Sequence, residues 1–338
     1  MKWAKRALLH VLKALGLFRL TRYLTRSDVR ILCYHSAWCS ADGFAGDSLF
    51  ILPETFAARL ALIRRLGFPV IPLDAAVEGL AGRAALPDAP VVITIDDGWY
   101  GTYAHLAPEL HRQGMAATVY CDTDSVLAGL PLAHVMAYYL RRIHCAGKTL
   151  SAETEAAYLR ARDLGCGTSR ETRLRAVQDF ADSAGFDIAP YFERRVFSYM
   201  RADELRALPA LGLSVQLHTH RHSLHSFSPE EIEEEIRLNR EALGALLDVD
   251  PGTFRHFCYP SGLTRPAATG TLHALGIASA TTLVDGLARA GETPLLLPRV
   301  LDGNHLSPIE FEAELCGVGT VLRLLHAKGR AAVPDHAG

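Results

Sequence analysis

The sequence predicts an incomplete (β/α) barrel, and three observations support this fold class. Apolar runs of strand length alternate with helical patterns along most of the 338 residues. At least seven such runs are present, and alternation of this kind is typical of a mainly parallel sheet covered on both faces. Polar residues directly follow several of the runs, where parallel barrels carry their functional groups.

The composition indicates a folded chain with one large core. Hydrophobic residues make up 49% of the chain and charged residues 21%, which excludes the disordered and fibrous classes. A net charge of −2 gives no basic excess, so nucleic acid is not an expected partner. Seven cysteines without a Cys-x-x-Cys pair favour a reducing, cytoplasmic compartment.

Residues 1–28 predict a basic amphipathic helix, clearest over the first eighteen residues. Residues 1–30 contain eight Lys or Arg and a single acid, Asp28. Two interpretations are open: the helix lies on an anionic membrane surface through residues 1–25, or it docks on the protein with its basic face in water. No apolar run is long enough to span a bilayer and no clear signal cleavage site is present, so we expect a cytoplasmic protein, peripheral at the inner face of the membrane. The apolar stripe contains Leu8, Val11, Leu12, Leu15 and Phe18.

The elements that follow are predicted from periodicity and residue type. Residues 91–95 are almost entirely β-branched, which favours a strand, whereas Phe56, Leu60 and Ile63 recur at helical spacing. Ser228 and Glu231 form a capping-box pattern at a helix start. The predicted strands are residues 30–35, 69–73, 91–95, 116–121, 213–217, 253–259, 276–283 and 295–300. The predicted helices include residues 53–65, 74–80, 103–112 and 308–326, the last followed by a flexible tail at 331–338.

Residues 123–205 interrupt the alternation with helical patterns and little strand signal. We interpret this region as a helical insertion between two barrel strands. Three roles are open for it: a lid, a partner surface, or a solvated excursion without a role.

Two polar clusters carry the candidate chemistry. His218 and His222 are four residues apart, which would place both imidazoles on one side of a helical turn, and imidazole binds zinc, cobalt or nickel. Asp96 and Asp97 end an apolar strand, where two carboxylates are costly unless a cation or proton is near. A turn at Gly98 can direct both into one cleft. One Asp with two His would leave open positions on a divalent ion, as catalytic sites do.

These residues resemble the motifs of a known family. Thr94-Ile-Asp-Asp-Gly98 is similar to the first motif of the polysaccharide deacetylases, the NodB-homology or carbohydrate esterase family 4 enzymes. His218-Thr-His-Arg-His222 resembles the second motif, and Phe257-Cys-Tyr-Pro-Ser-Gly262 resembles the third in its Tyr-Pro-x-Gly form. That branch also carries an early Tyr-His such as Tyr34-His35. The resemblance spans about residues 30 to 300.

The resemblance implies a deformed (β/α) barrel over residues 29–330 and a metal-dependent deacetylase of acetylated sugars. By position, Asp97, His218 and His222 would hold the metal, which we expect to be zinc, with cobalt or nickel as alternatives. Asp96 would be the base and Thr219 would orient the ligand loop. Four residues are predicted at the substrate: the amide near Ser261 as oxyanion donor, Tyr259 lining the sugar cleft, Trp99 as a stacking wall or a core residue, and His35.

The general acid is where the sequence departs from the family pattern. Leu297-Pro-Arg299 stands where the family has a Leu-x-His motif, whose catalytic histidine supplies the proton. An arginine does not release a proton at neutral pH. His305 or His35 could supply the proton instead. The arginine that usually precedes the third motif is replaced by Cys258, with Arg255 as the nearest substitute.

We therefore expect a hydrolase of carbon–nitrogen bonds other than peptide bonds. Its substrate would be an N-acetylated or O-acetylated carbohydrate, such as a surface-polysaccharide or glycolipid precursor. Two other hypotheses remain: a non-catalytic carbohydrate-binding member of the same fold, and a barrel metallo-amidase with a non-sugar substrate.

Overall fold

Seven parallel strands form a closed barrel at the centre of the molecule. The computed structural model describes residues 2–40, 44, 46, 48–129, 131–164, 168–224, 228–264 and 266–323. The predicted tail at 331–338 and the predicted helix end at His326 lie outside these residues. The strands are β1 (Arg30–Tyr34), β2 (Ser36–Ala37), β3 (Phe50–Ile51), β4 (Val91–Ile95), β5 (Ala117–Cys121), β6 (Leu213–Leu217), β7 (His256–Cys258), β8 (Ser279–Asp285) and β9 (Leu297–Leu301).

The barrel order is β1-β4-β5-β6-β7-β8-β9, and it closes because β9 pairs with β1. Strands β2 and β3 form a separate two-stranded pair. β1, β4 and β5 are buried along their whole length, as expected for parallel strands covered on both faces. The predicted fold class, a deformed (β/α) barrel of about seven strands, is confirmed.

One predicted strand, residues 69–73, is wrong. Val70 forms only an isolated bridge to Val91, and a helix begins at Leu73. Pro69 and Pro72 have no N–H to donate to a neighbouring strand, so the segment cannot continue the ladder.

Helices surround the barrel, and several match their predicted bounds within a few residues. A π-helical segment, Thr102–Leu106, directly precedes the helix Ala107–Gln113. The helix predicted over residues 308–326 ends at Leu315, because Gly317 adopts a left-handed backbone conformation (φ 74°). Residues 318–323 are helical again. The helices outside the insertion are α1 (Lys2–Ala14), α2 (Leu17–Leu24), α3 (Pro53–Arg65), α4 (Leu73–Leu80), α5 (Ala107–Gln113), α12 (Pro229–Leu247), α13 (Pro266–Ala274) and α14 (Pro308–Leu315).

The insertion lies between β5 and β6, which nevertheless pair directly over five residues. Its helices are α6 (Thr123–Ala128), α7 (Ala133–His144), α8 (Ala152–Asp163), α9 (Arg170–Ala184), α10 (Ala189–Glu193) and α11 (Ala202–Ala207). An aromatic cluster joins it to the barrel loops: the rings of Trp38 and Phe197 are 5.8 Å apart and those of Phe50 and Tyr139 are 5.0 Å apart. The interpretation as a solvated excursion does not hold for this part of the insertion.

The predicted helix over residues 1–18 is broken. Gly16 adopts a left-handed conformation (φ 79°) and separates α1 from α2. Lys13 of α1 forms an ion pair with Glu312 of α14, so basic side chains contact the protein. The helix is therefore docked on the protein, and the side chains of Lys5, Arg6 and Lys13 remain 43–60% exposed beside their acidic partners.

Candidate active site

The loop after β4 directs two carboxylates into the mouth of the barrel. Asp97 (φ 74°) and Gly98 (φ 92°) both adopt the left-handed conformation, and the Gly98 N–H donates to the Asp96 carbonyl at 3.0 Å. The turn thus begins at Asp97, one residue before the glycine that the sequence indicated. A Cβ on Gly98 would lie 2.9 Å from the Cys121 sulfur, so this position requires glycine.

The insertion supports this loop from outside. The Met200 N–H donates to the Gly98 carbonyl at 2.9 Å, and the Tyr100 N–H donates to the Ser198 carbonyl at 2.8 Å. The Trp99 ring stacks on Tyr199 with ring centroids 4.6 Å apart. Trp99 is fully buried, and its Nε1–H donates to Asp97 Oδ2 at 2.7 Å, so it orients that carboxylate and the sugar-stacking wall suggested for it is wrong.

The structure brings together the three side chains predicted as metal ligands. The Asp97 Oδ1 atom lies 3.1 Å from His218 Nε2 and 3.1 Å from His222 Nε2. All three ligand atoms lie within 4.8 Å of one another. Residues separated by 121 positions along the chain therefore meet at one point.

The chemistry of these donors fits a divalent cation. His218 Nδ1 lies 2.8 Å from the Cys258 carbonyl, which only accepts hydrogen bonds, so Nδ1 carries a proton and Nε2 is the nitrogen that faces Asp97. Burial opposes the charged form of His218, but Cys258 and Asp97 beside it raise the pKa of its imidazole well above the usual range. A divalent cation held by His218 Nε2 and Asp97 Oδ1 would interact favourably with both atoms, so Nε2 would not need to be protonated.

The loop at residues 218–222 is not the helical turn that the spacing suggested. Thr219 (φ 64°) and His222 (φ 52°) both adopt left-handed backbone conformations. Such conformations are unfavourable for non-glycine residues and concentrate at functional sites. The Thr219 hydroxyl accepts a hydrogen bond from the Ser223 N–H at 3.2 Å, which agrees with its expected role in orienting the loop.

Helix α12 holds the same loop through two buried side chains that the sequence analysis missed. The Asn239 side chain accepts from the His218 N–H at 3.0 Å and donates to the Cys121 carbonyl at 3.1 Å. Glu235 accepts from the N–H groups of His220 and Arg221. Both residues interrupt the apolar face of an otherwise amphipathic helix, and that interruption was the available signal.

Asp96 is not the free carboxylate that the motif suggested. Arg299 donates two hydrogen bonds to its two oxygens, each at 2.7 Å. The thiols of Cys33 and Cys258 lie 3.5 Å and 3.4 Å from the same Asp96 oxygen. Arg299 thus contacts Asp96, whereas no described hydrogen bond or ion pair joins Arg255, the substitute considered from the sequence, to that carboxylate.

The Asp96–Arg299 pair is buried, and this determines the charge of both groups. Burial raises the pKa of Asp96, but the Arg299 guanidinium more than offsets this and holds it below its usual value. Asp96 is therefore ionised at neutral pH. Arg299 stays protonated beside it, so the place of the family histidine is taken by a residue that positions the base and transfers no proton.

Two further groups of potential ligands overlap this site, and both contain Asp96. They are Cys33, His35 and Asp96, and Asp96, His218 and Cys258. A cation bound at either would lie beside the Arg299 guanidinium and be repelled by it. The group built on Asp97 has no such neighbour among the described contacts, and it is the better cation site.

The two histidines considered as proton donors lie in different surroundings. His35 follows β1, and its Nε2 atom is 4.0 Å from Asp96 Oδ2. His305 is exposed, and within the described part of the chain no ion pair or hydrogen bond joins it to Asp96, Asp97 or His218. The geometry favours His35, which the sequence had placed with the substrate-binding residues.

The turn after β7 contains the remaining predicted residues. Tyr259 is fully buried, so its predicted place in the lining of an open sugar cleft is wrong. Ser261 is exposed and adopts a left-handed conformation (φ 55°). The N–H groups of Tyr259 and Gly262 already donate to Thr281 and Tyr259 carbonyls, and Pro260 has none, so Ser261 carries the turn's remaining amide donor.

Comparison with known proteins agrees with this geometry. A polysaccharide deacetylase family model matches residues 171–280, a span that contains His218, His222 and the turn at Tyr259. The predicted resemblance to the polysaccharide deacetylases is confirmed. The matched span leaves out Asp96 and Asp97, whose place in the site rests on the geometry above. The enzyme class of the family agrees with the expected hydrolase of carbon–nitrogen bonds.

Solved structures share the fold. The deacetylase PplD of Streptococcus pyogenes, solved with acetate, is 17% identical with a TM-score of 0.58, and the match covers 86% of this chain and 99% of that one. IcaB of Ammonifex degensii is 20% identical with a TM-score of 0.55, covering 86% and 97%. A de-N-acetylase of Aggregatibacter actinomycetemcomitans is 12% identical with a TM-score of 0.56, covering 85% and 99%. No curated protein sequence matches the chain. These identities establish similarity of fold alone.

Proposed function

We propose that this protein is a metal-dependent deacetylase that hydrolyses an N-acetyl, or O-acetyl, group of a carbohydrate. The observation that carries the proposal is the position of Asp97 Oδ1, 3.1 Å from the Nε2 atoms of His218 and His222, with ionised Asp96 beside it in the chain. A carboxylate that faces two imidazole nitrogens is a donor set for a divalent cation.

Asp97, His218 and His222 would hold the cation, for which zinc is favoured by the nitrogen and oxygen donors. A bound divalent ion polarises an acetyl carbonyl and lowers the pKa of water towards neutrality. Three protein ligands leave room for water and substrate, as in catalytic rather than structural sites.

Asp96 takes the proton from the attacking water. Arg299 keeps the carboxylate ionised and fixes both of its oxygens, so the proton acceptor is oriented before the substrate binds. The same contact makes Asp96 a weak base, and proton transfer to it is favourable only from a water that is already acidified.

His35 gives a proton to the leaving nitrogen or oxygen in this proposal. Its Nε2 atom is within 4.0 Å of the base, and its Nδ1 is a buried atom without a hydrogen-bond partner among the described residues. The Ser261 amide donates to the developing oxyanion; one such donor is typically worth about 3–4 kcal/mol.

The substrate class follows from the similarities of fold and family. The neighbouring structures include a protein named as a de-N-acetylase, which favours an N-acetylated sugar over an O-acetylated one. A precursor of a surface polysaccharide or glycolipid remains our preferred substrate, and it is a prediction.

The direct test is acetate release. Metal-stripped protein is reloaded with zinc or cobalt and assayed on a panel of N-acetylated and O-acetylated sugars, together with Asp96→Asn. We expect the variant to lose at least about 100-fold in kcat and to keep its metal affinity, because the asparagine still offers Arg299 an acceptor but cannot take up a proton, and none of the three proposed ligands changes. Asp88→Asn, at an exposed loop position, is the matched control.

Two outcomes would contradict the proposal. Metal binding without acetate release across the panel would identify a non-catalytic carbohydrate-binding protein, the alternative suggested by the loss of the family histidine. Turnover restricted to acylated non-sugar amides, established by product identification, would identify a metallo-amidase.

The proton donor is tested by two histidine variants. His35→Gln should lower kcat on an acetamido sugar by at least about 100-fold, and much less on an activated acetate ester whose leaving group needs no proton. His305→Gln should leave both rates unchanged. Equal losses on both substrates for His35→Gln, or a loss confined to His305→Gln, would assign the proton to another group.

A further inference from the structure

Helix α1 contacts the protein through its basic side. Lys5 and Arg6 form ion pairs with Glu310 at 3.2 Å and 3.3 Å, and Lys13 forms one with Glu312 at 2.6 Å. All three acidic contacts lie on α14, whose two glutamates are largely buried beneath them. These ion pairs connect α1 to α14, while the three basic side chains remain 43–60% exposed.

The opposite side of α1 is apolar and faces outward. Leu8, Val11 and Leu15 follow one another at helical spacing and are 56%, 54% and 76% exposed, and Trp3 is 81% exposed. Leu9 and Phe18 are buried in the core and Leu12 packs against it, so these helices already bury one apolar stripe, and the exposed residues form a second apolar surface that the protein does not cover. Helix α2 continues the pattern. We call the exposed apolar residues of both helices the outer face: Trp3, Leu8, Val11, Leu15, Leu20, Tyr23 and Leu24.

The charge around the outer face is positive. Of the eight Lys or Arg in residues 1–30, three pair with α14 and Arg30 is buried, and the single acid, Asp28, is paired with Arg289 at 3.2 Å. Arg19 and Arg26 are exposed on and just after α2. A second copy docked through the same face would bring equal positive charges together, whereas an anionic surface would complement them.

The residue types of the outer face also favour a lipid surface. Trp3 and Tyr23 are the aromatic types that concentrate at membrane–water interfaces, where the ring is buried and the polar atom stays hydrated. Among the described residues, no helix is long and apolar enough to cross a bilayer. Leucines beside arginines on a short helix are typical of segments that lie in the interface plane.

We propose that the outer face binds the surface of an anionic lipid bilayer, with α1 and α2 lying in the interface and the barrel held against the membrane. The proposal commits to lipid as the occupant and does not depend on the deacetylase activity. It gives a physical basis to the predicted peripheral location.

The test is co-sedimentation of the full chain with vesicles. Phosphatidylcholine mixed with phosphatidylglycerol is compared with phosphatidylcholine alone, at low and high salt. We expect binding to the anionic vesicles that weakens in high salt, because the arginines are screened. The triple variant Leu8→Gln, Val11→Gln, Leu15→Gln should bind at least about tenfold more weakly, since it removes apolar area without changing charge.

A matched variant controls for a general effect of removing exposed apolar residues. Leu159→Gln, Val249→Gln and Val284→Gln change three exposed side chains far from α1 in the sequence and should bind as the unaltered chain does. Sedimentation of the protein alone gives its oligomeric state in parallel. The proposal is overturned if the unaltered chain stays in the supernatant, if both triple variants bind equally, or if the first variant instead dissociates a dimer.

Discussion

At the scale of single residues, the environment of Asp96 determines what the site can do. The carboxylate receives two hydrogen bonds from Arg299 and lies against two thiols, and water has little access to it. An ionised carboxylate in this environment is stable only because the guanidinium is there. Arg299 thus has a role that its position in a degenerate motif did not indicate.

Arg299→Gln should shift the pH dependence of catalysis. Burial alone raises the pKa of Asp96, so removing the guanidinium moves it upward, and the base becomes protonated at pH values where it is now ionised. We expect the acidic limb of the kcat profile to move to higher pH by at least about one unit. Arg255→Gln, at an exposed arginine, is the control, and an unmoved limb in Arg299→Gln would refute the positioning role.

The site was predictable from sequence where a residue acts through its own side chain. Asp97, His218 and His222 follow strand ends, and parallel strands place such ends at one rim of a barrel. Arg299, Asn239 and Glu235 were missed or misassigned because each acts on another residue across the barrel or from a neighbouring helix. Those partners are known only when the order of strands and the packing of helices are known.

At the scale of elements, α12 and α6 contact each other beside the site, where the Asn239 amide of α12 donates to the Thr123 hydroxyl of α6 at 3.1 Å. Asn239 of α12 connects the His218 amide to the Cys121 carbonyl at the end of β5. Asp122 caps α6 by accepting from the Ser125 N–H at 3.0 Å. The first contact fixes the backbone of a proposed ligand, and the second fixes the start of the helix that follows β5.

Asn239→Leu should weaken metal binding by about 10–100-fold, because the ligand loop loses the acceptor that fixes its first residue. The measurement is zinc affinity by competition with a chromophoric chelator. Glu241→Gln, on the exposed side of the same helix, should leave the affinity unchanged. Equal zinc affinities for Asn239→Leu and the unaltered chain would show that α12 has only a packing role.

Asp122→Asn should stabilise the metal-free protein in a pH-dependent manner. Burial raises the pKa of Asp122 to about 6, above its unfolded value, so ionising it in the folded state costs stability as the pH rises through that range. The asparagine keeps a cap acceptor and removes the charge.

The expected gain is about 3 kcal/mol near pH 8 and about half of that at pH 5, measured by urea unfolding. Asp88→Asn should give no gain at either pH. The assignment fails if Asp122→Asn gives the same gain at both pH values or lowers stability at both.

Element boundaries were predicted well where one physical signal dominated. The strand at residues 91–95 and the helix at 53–65 have clear patterns and were placed correctly. Residues 69–73 have strand composition, yet two prolines remove the donors that a strand needs. The docking of α1 involves Glu310 and Glu312, which lie some 300 residues away, so the local sequence of α1 gives no signal for it.

At the scale of the whole molecule, the insertion and the barrel form one packed body. The cluster around Phe197 joins insertion helices to the β2–β3 segment, and residues 198–200 bond to the loop that carries Asp97. The insertion therefore contributes to the shape of the site without supplying a ligand.

Phe197→Ala should lower the free energy of unfolding of the whole chain by about 3–5 kcal/mol, as expected for a large buried side chain. Barrel and insertion should still unfold in one transition, seen at the same midpoint by fluorescence and circular dichroism. Phe192→Ala, at a partly exposed site nearby, should cost far less. Two separate transitions would mean that the insertion is an independent domain.

The closure of the barrel also sets an order of events during synthesis. Among the strands of the described residues, β9 is the last to leave the ribosome, and it both pairs with β1 and carries the guanidinium that contacts Asp96. Until Arg299 has been synthesised, the barrel cannot close between β9 and β1, and the Asp96 carboxylate lacks the cation with which it pairs in the folded protein. Closure of the barrel and pairing of Asp96 with Arg299 therefore take place in one late step. A chain that ends before this step can neither complete its core nor hold the Asp96 carboxylate in a fixed orientation.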